Sequence, residues 1–354
     1  MGSSTLIFGP PGCGKTHTLI ESVKQALAEG TSPDRIAFVS FTKKAVREAT
    51  DRACATFNLT EKDLPYFRTL HSMAFRGLGL QSSDMLGRDD WRILGNQLGL
   101  IFDGVSGVSP DDGMIIPLPI GKGDTYLQLM TRARYKMISF EKEYNQHGDR
   151  DMYFPLLEKI EKIVSTYKQE NTKYDFVDLI ELYIQSVMPP SLDLLIVDEA
   201  QDLTPLQWEM VKTISSNAKK VLYAGDDDQA IHRWTGVDVR LFLGCSDQKE
   251  ILTQSYRLPV SVHRLSQHLV HRIDERQEKE FKPTEDRGSV NFHRQIRELD
   301  FSTGSWTLMA RTNAMVREWG ELLQAEGLLY SIKGRSSISQ STAEVITSWK
   351  KLQR

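Results

Sequence analysis

Gly9, Gly14, Lys15 and Thr16 stand at the spacing G-x-x-x-x-G-K-T, which serves to hold a triphosphate. The run from Thr5 reads Thr-Leu-Ile-Phe-Gly-Pro-Pro-Gly-Cys-Gly-Lys-Thr, a short apolar strand entering the loop. Gly12 and Gly14 let backbone N–H groups turn inward with no Cβ in the way. Those N–H groups and the helix N-terminus face the phosphates. Lys15 would reach the β/γ oxygens and Thr16 would ligate Mg²⁺, with Pro10, Pro11, Cys13 and His17 completing the nucleotide-facing run. The alternative is a chance Gly-rich turn, which the strand–loop–helix setting argues against.

A second acidic element fits the first. The apolar run Leu192–Val197 ends at Asp198-Glu199. Asp198, at the carboxyl end of a strand, would hold Mg²⁺ directly or through water, and Glu199 would orient and deprotonate a water. The bland reading is two acids favoured by a helix N-terminus.

These groups need strands that end together and helices behind them. Leu19, Val23 and Leu27 recur at a spacing of four and predict a helix after the loop, with Gly30 as its stop. Residues 36–41 read as a buried strand, and Thr42 can cap the helix that follows. Residues 79–125 are rich in Gly, Asp and Ser, and residues 125–188 read as mainly helical, so 79–188 is expected to be an inserted, mostly helical subdomain. Apolar runs at 192–197, 221–224, 250–253, 289–293, 306–310 and 328–332 predict further strands, with a helix over 312–325. Alternating strands and helices predict an α/β fold with a parallel sheet.

The chain has 354 residues, 40% apolar and 26% charged, with a net charge of -3. Two or three domains and a globular protein are expected. No apolar stretch reaches the roughly 18 residues of a membrane span. The N-terminus has neither basic region nor cleavage site, and Cys13, Cys54 and Cys245 fit no zinc spacing, so a reduced, cytoplasmic protein is expected. Bulk charge does not announce nucleic acid; any such surface must be a local basic patch.

Together the motifs resemble the UvrD/Rep/PcrA helicases. Asp198-Glu-Ala-Gln-Asp-Leu-Thr-Pro-Leu-Gln207 resembles their motif II, and Gly225-Asp-Asp-Asp-Gln-Ala-Ile-His-Arg-Trp234 their motif III. Ser255-Tyr-Arg257 resembles the core of motif IV, Phe41-Thr-Lys-Lys-Ala45 motif Ia, and Thr69-Leu-His-Ser72 the next DNA-contacting motif. Residues 174–179 resemble a segment near the end of the family's inserted subdomain. The matches run in family order over most of the chain.

The resemblance implies a P-loop NTPase with two RecA-like domains, each a parallel sheet with helices on both faces, and ATP in the cleft between them. The expected division is 1–78 plus 189–247 for the first domain, 79–188 for the insertion, and 248–354 for an incomplete second domain. It implies ATP hydrolysis coupled to 3′-to-5′ movement on single-stranded DNA or at a single/double-strand junction. Gln229 would sense the γ-phosphate, Arg257 would stabilise charge on it, and Tyr256 would stack on adenine. Trp234 would stack on a base; Thr42 and His71 would contact the DNA backbone. Each has a plainer alternative: Trp234 as core, Tyr256 and Arg257 as a strand-end aromatic and a surface charge, His71 as a core or capping histidine. Lys43 and Lys44, and the basic–aromatic run Arg132, Arg134, Tyr135 and Lys136, could equally be charged helix faces. Stacking and phosphate contacts leave DNA and RNA both open.

Two departures follow. No adenine-reading glutamine precedes the phosphate loop, so adenine recognition would rest on Tyr256, His17 and the hinge. The family's last two motifs are absent, and Val345, Ile346, Trp349 and Leu352 make an apolar face without a later partner. The expectation is an artificially shortened chain, a split-gene product or a proteolytic remnant, with a protein partner able to complete the second domain. An arginine finger is worth about 10³–10⁵ in rate, so with Arg257 alone turnover is expected to be slow. The competing reading is a nucleotide-gated DNA- or protein-binding module; a different phosphate-loop enzyme, such as a small-molecule kinase, fits Gln229, Trp234 and Tyr256-Arg257 poorly.

Overall fold

The computed structural model describes residues 2–103, 120–149, 151–301, 303–332 and 335–338. The apolar face of Val345, Ile346, Trp349 and Leu352 lies outside the described residues, as does all but Ile120 of the two-proline run at 114–120. The chain forms two compact units, Met1–Gly288 and Ser289–Arg354.

In the first unit, strand β1 (Ser3–Phe8) leads to helix α1 (Lys15–Ala28), β2 (Ile36–Ser40) to α2 (Lys43–Phe57), and β3 (Tyr66–Thr69) to α3 (Leu70–Gly77). Five helices follow: α4 (Arg88–Leu98), α5 (Lys122–Lys136), α6 (Phe140–His147), α7 (Phe154–Asn171) and α8 (Phe176–Ser186). The strands then resume with β4 (Leu192–Asp198), α9 (Pro205–Ser215), β5 (Ala218–Gly225), α10 (Val239–Leu243), β6 (Lys249–Ile251) and α11 (Val260–Val270). The six strands form one sheet in the order β3-β2-β4-β5-β1-β6, with every pairing parallel.

A parallel sheet is covered on both faces, so its strands are apolar throughout. All five residues of β2 are buried. The strand period of two sorts them between two cores. Leu6, Phe8, Val39, Leu195 and Val197 face one side with residues of α3, α8 and α9. Ile7, Phe38, Leu194, Ile196 and Leu222 face the other with α1 and α2, where Leu19 and Val23 are fully buried. The helical segment has its own core around Trp91, Leu94, Tyr126, Leu157 and Ile160.

Several elements differ from the sequence reading. Helix α4 lies in a stretch that the sequence marked only by its Gly, Asp and Ser content, within the insertion expected to be mostly helical. Its apolar Trp91 and Leu94 are three apart on one buried face, while charged residues crowd the other. Helix α8, read as the end of the insertion, packs on α3 and α9 and joins the core on one face of the sheet with Val177, Ile180 and Tyr183. Strand β6 joins the first sheet beside β1, and the first unit runs past residue 247 to Gly288.

In the second unit, helix α12 (Asn313–Ala325) stands as expected, its N-terminus capped by the Thr312 hydroxyl, which accepts from the Met315 N–H at 3.3 Å. Residues 289–293 and 306–310 form no strand. An apolar run becomes a strand only where a neighbour takes its backbone hydrogen bonds, and periodicity does not reveal that neighbour. The expected strand at 328–332 is reduced to β7 (Ser331–Ile332), paired antiparallel with β8 (Arg335–Ser336).

Candidate nucleotide site and nucleic-acid face

The sheet order decides which loops meet. β5 lies between β4 and β1, so the ends of three adjacent strands carry Asp198-Glu199, Gly225-Asp226 and the phosphate loop. Ligands of open parallel sheets bind at these carboxyl ends.

The loop has the backbone the sequence calls for. Gly12 and Gly14 lie at φ 74° and 75°, and Gly14 caps α1. A side chain on Gly12 would also collide, since its Cβ would fall 2.3 Å from the Cβ of Arg257. The first N–H groups of α1, at Lys15 and Thr16, have no acceptor inside the helix and point out of its end. His17 is exposed in the same turn. Cys13 is buried, and burial with the nearby charge of Asp226 pushes its thiol up to about 11, so it is not a reactive thiolate.

Lys15 Nζ lies 2.7 Å from Glu199 Oε2 and 3.6 Å from Asp198 Oδ1. Burial alone would weaken its hold on the proton, but the two carboxylates outweigh it and the lysine stays charged. Burial raises the Asp198 carboxyl above its usual range, and Lys15 only partly offsets this. Burial also works against the charge of Glu199, but Lys15 and a hydrogen bond from Gln201 Nε2, at 2.9 Å, hold it below the usual range. Glu199 is therefore held as an anion. Its backbone sits at φ 52°, an uncommon conformation for a residue with a side chain, as found where function constrains geometry.

The donor set suits a hydrated divalent cation. Asp198 and Thr16 are oxygen donors at the loop, and among the described residues no group of three or more His, Cys, Asp or Glu could cage a metal. Mg²⁺ typically takes one or two protein oxygens and fills its shell with water and phosphate.

Ser255, Tyr256 and Arg257 lie directly on the loop. Ser255 Oγ donates to the Pro11 carbonyl at 2.7 Å, and the Tyr256 N–H donates to the Gly12 carbonyl at 2.9 Å. The Tyr256 ring, 76% exposed, comes within 4.0 Å of where a Gly14 side chain would stand. Gln229 is exposed just beyond β5, its Nε2 held by Asp226 Oδ2 at 2.7 Å.

Of the residues expected to meet DNA, Trp234 is 58% exposed, so the core alternative does not hold for it. Thr42 caps α2, accepting from the Ala45 N–H at 3.2 Å. His71 does not fit its expected role. It is buried, its Nε2 is 3.1 Å from the Tyr135 hydroxyl, and its ring lies edge-on to Tyr135 and Phe176. Burial pushes its pKa down to about 4, so it is a neutral core histidine.

The basic–aromatic run in α5 is not a phosphate-binding patch either. Tyr135 is fully buried. Arg134 is bound by Asp175, Asp178 and Glu181, and Arg132 and Lys136 by the buried Glu143. Sequence reasoning missed a different basic surface. A groove of about 790 Å³ between α2, β3 and α3 carries Lys43, Arg47, Lys62, Arg68 and Arg76 against one carboxylate, Glu61. Its cations come from three separate stretches, which spacing along the chain does not bring together.

Among the described residues, no helix is long and apolar enough to cross a membrane. The ATP-dependent DNA helicase PcrA of Bacillus subtilis (strain 168) is 27% identical over 93% of this chain and 48% of its own length. DNA helicase II of Escherichia coli (strain K12) is 24% identical over 67% of this chain and 33% of its own. The ATP-dependent DNA helicase Rep of the same strain is 25% identical over 65% of this chain and 35% of its own. The chain thus spans about half the length of the first of these relatives and about a third of the other two. The profile of the UvrD/REP helicase N-terminal domain matches residues 1–250, a range holding the phosphate loop, Asp198-Glu199, Gln229 and the whole six-stranded sheet except the last residue of β6. With that match over more than half of its length, the chain belongs to the UvrD/REP helicase N-terminal domain family.

Proposed function

We propose that the chain is the ATP-driven part of a DNA helicase or translocase moving 3′-to-5′ on single-stranded DNA. In this reading residues 1–78 and 189–247 are the first motor domain and 79–188 its insertion. Residues from 248 onward begin the second, with β6 lent to the first sheet. The observation that carries the reading is the meeting of Lys15, Asp198 and Glu199 under a loop that Tyr256 and Arg257 touch from above.

Lys15 exchanges its carboxylate partners for β/γ oxygens when a triphosphate binds, and the loop N–H groups take the remaining phosphate charge. Thr16 and Asp198 would hold Mg²⁺, which when bound neutralises phosphate charge. Glu199, freed from Lys15, accepts the proton of the attacking water. Gln229 reads the γ-phosphate, and Arg257 stabilises the charge spreading over it. Tyr256 stacks on the adenine. Trp234 stacks on a base, and Thr42 with the groove of Arg47, Arg68 and Arg76 follows the phosphates.

The test is ATPase rate with and without single-stranded DNA, for the wild type and Glu199→Gln. Stimulation by DNA is expected in the wild type, with a fall of about 10²–10⁴-fold in the variant, the usual worth of a general base. Tight nucleotide binding with no stimulation would replace this reading with that of a nucleotide-gated binding module.

A further inference from the structure

Lys279 has no part in the chemistry above, yet its side chain is only 1% exposed. Its ammonium lies 3.1 Å from Asp226 Oδ1 and 2.9 Å from Asp228 Oδ2, and it also bonds Asp227. Arg276 adds a two-pronged bond to Asp228 at 2.8 and 3.0 Å, and the Gln277 N–H donates to Asp227 Oδ2 at 2.6 Å. Three consecutive carboxylates at one strand end repel each other, and burial sharpens the repulsion. Charged neighbours supplied by residues 276–279 hold them together.

The Asp226 carboxylate divides its bonds. Oδ1 faces Lys279 and Oδ2 accepts from Gln229 at 2.7 Å. The Asp226 N–H donates to Gln201 Oε1 at 3.1 Å, and Gln201 Nε2 donates to Glu199 Oε2 at 2.9 Å. At its far end the same segment pairs with the stretch bearing Tyr256 and Arg257. The Lys282 N–H donates to the Thr253 carbonyl, and the Ser255 N–H to the Lys282 carbonyl, both at 2.8 Å. One short segment thus touches the supports of Glu199, Gln229 and Arg257.

We propose that Lys279 is a positioning residue that sets Gln229 and Glu199, through Asp226, in register with the Arg257 segment. It is not among the residues proposed to meet the nucleotide. Its removal should leave the phosphate loop intact and misplace the groups that act on the γ-phosphate. The proposal rests on the motor reading for its effect on turnover, though not for its effect on structure.

The test compares the full chain with Lys279→Met and with Lys279→Met combined with Asp227→Asn. The double variant removes one buried carboxylate along with the lysine, which relieves the charge imbalance, while Asp226 stays without its lysine. Amide hydrogen exchange, affinity for a fluorescent ATP analogue with Mg²⁺, and DNA-stimulated ATPase rate are measured. In the double variant we expect faster exchange at residues 226–230 and 253–258, unchanged exchange in β1 and β4, and unchanged nucleotide affinity. Turnover should fall about 10- to 100-fold, the size of effect a small misplacement of reacting groups produces. Wild-type exchange and turnover in the double variant would overturn the proposal and make Lys279 a charge-balancing residue only. If the wild type itself shows no turnover, the motor reading fails, and exchange at 226–230 and 253–258 still decides on Lys279.

Discussion

At the scale of single residues, His71 shows how a motif position can be filled for a reason other than ligand contact. Its place after Thr69 resembles a DNA-contacting motif of the helicases, but its ring sits among Tyr135 and Phe176 and is neutral. This has a consequence for pH. The folded chain releases the His71 proton at about 4, whereas an unfolded chain releases it near the ordinary 6.5. The unfolded state therefore binds the proton more readily. The stabilisation is full above pH ~6.5 and is lost as pH falls toward 4, by up to about 3 kcal/mol. His71→Gln should flatten that part of the urea-midpoint profile between about pH 7 and 4. An unchanged slope would mean that other groups carry the acid sensitivity.

At the scale of elements, the helical segment explains why charge content misleads. Arg134 projects from α5 onto Asp175, Asp178 and Glu181 at and beyond the α8 N-terminus, and Lys168 of α7 joins it on Asp175 and Asp178. These cations tie helices together and have little left for phosphate. Arg134→Met should cost about 3–5 kcal/mol of stability, because it leaves partly buried carboxylates without their main partner. It should leave the salt dependence of single-stranded DNA affinity unchanged, whereas removal of a phosphate-contacting cation lowers that slope. Thermal unfolding and fluorescence anisotropy over a salt series measure the two effects. A lowered slope would return α5 to the DNA-binding surface.

At the scale of the whole molecule, every residue proposed for the nucleotide site lies in the unit Met1–Gly288. Tyr256 and Arg257 belong there too, since Ser255 and Tyr256 hydrogen-bond to Pro11 and Gly12. A chain ending after Gly288 should thus bind a fluorescent ATP analogue as tightly as the full chain. An affinity loss of about tenfold, or 1.4 kcal/mol, would show that residues beyond Gly288 support the nucleotide site.

The contiguous features were legible in the sequence. The phosphate loop, the Asp198-Glu199 strand end, the Thr42 cap and the face of α1 each depend on spacing within a few residues, where backbone geometry alone relates side chains. Tertiary structure decided what depends on residues far apart in the chain. It moved β6 onto the first sheet, brought α8 into the core on one face of that sheet, took His71 and Arg134 out of the residues considered for DNA contact, and gathered a basic groove from α2, β3 and α3. It also carried Lys279 to Asp226, a pairing with no local signature. A lysine in a charged stretch looks the same in sequence whether water or three carboxylates surround it, because burial and partner choice are set only when distant segments pack.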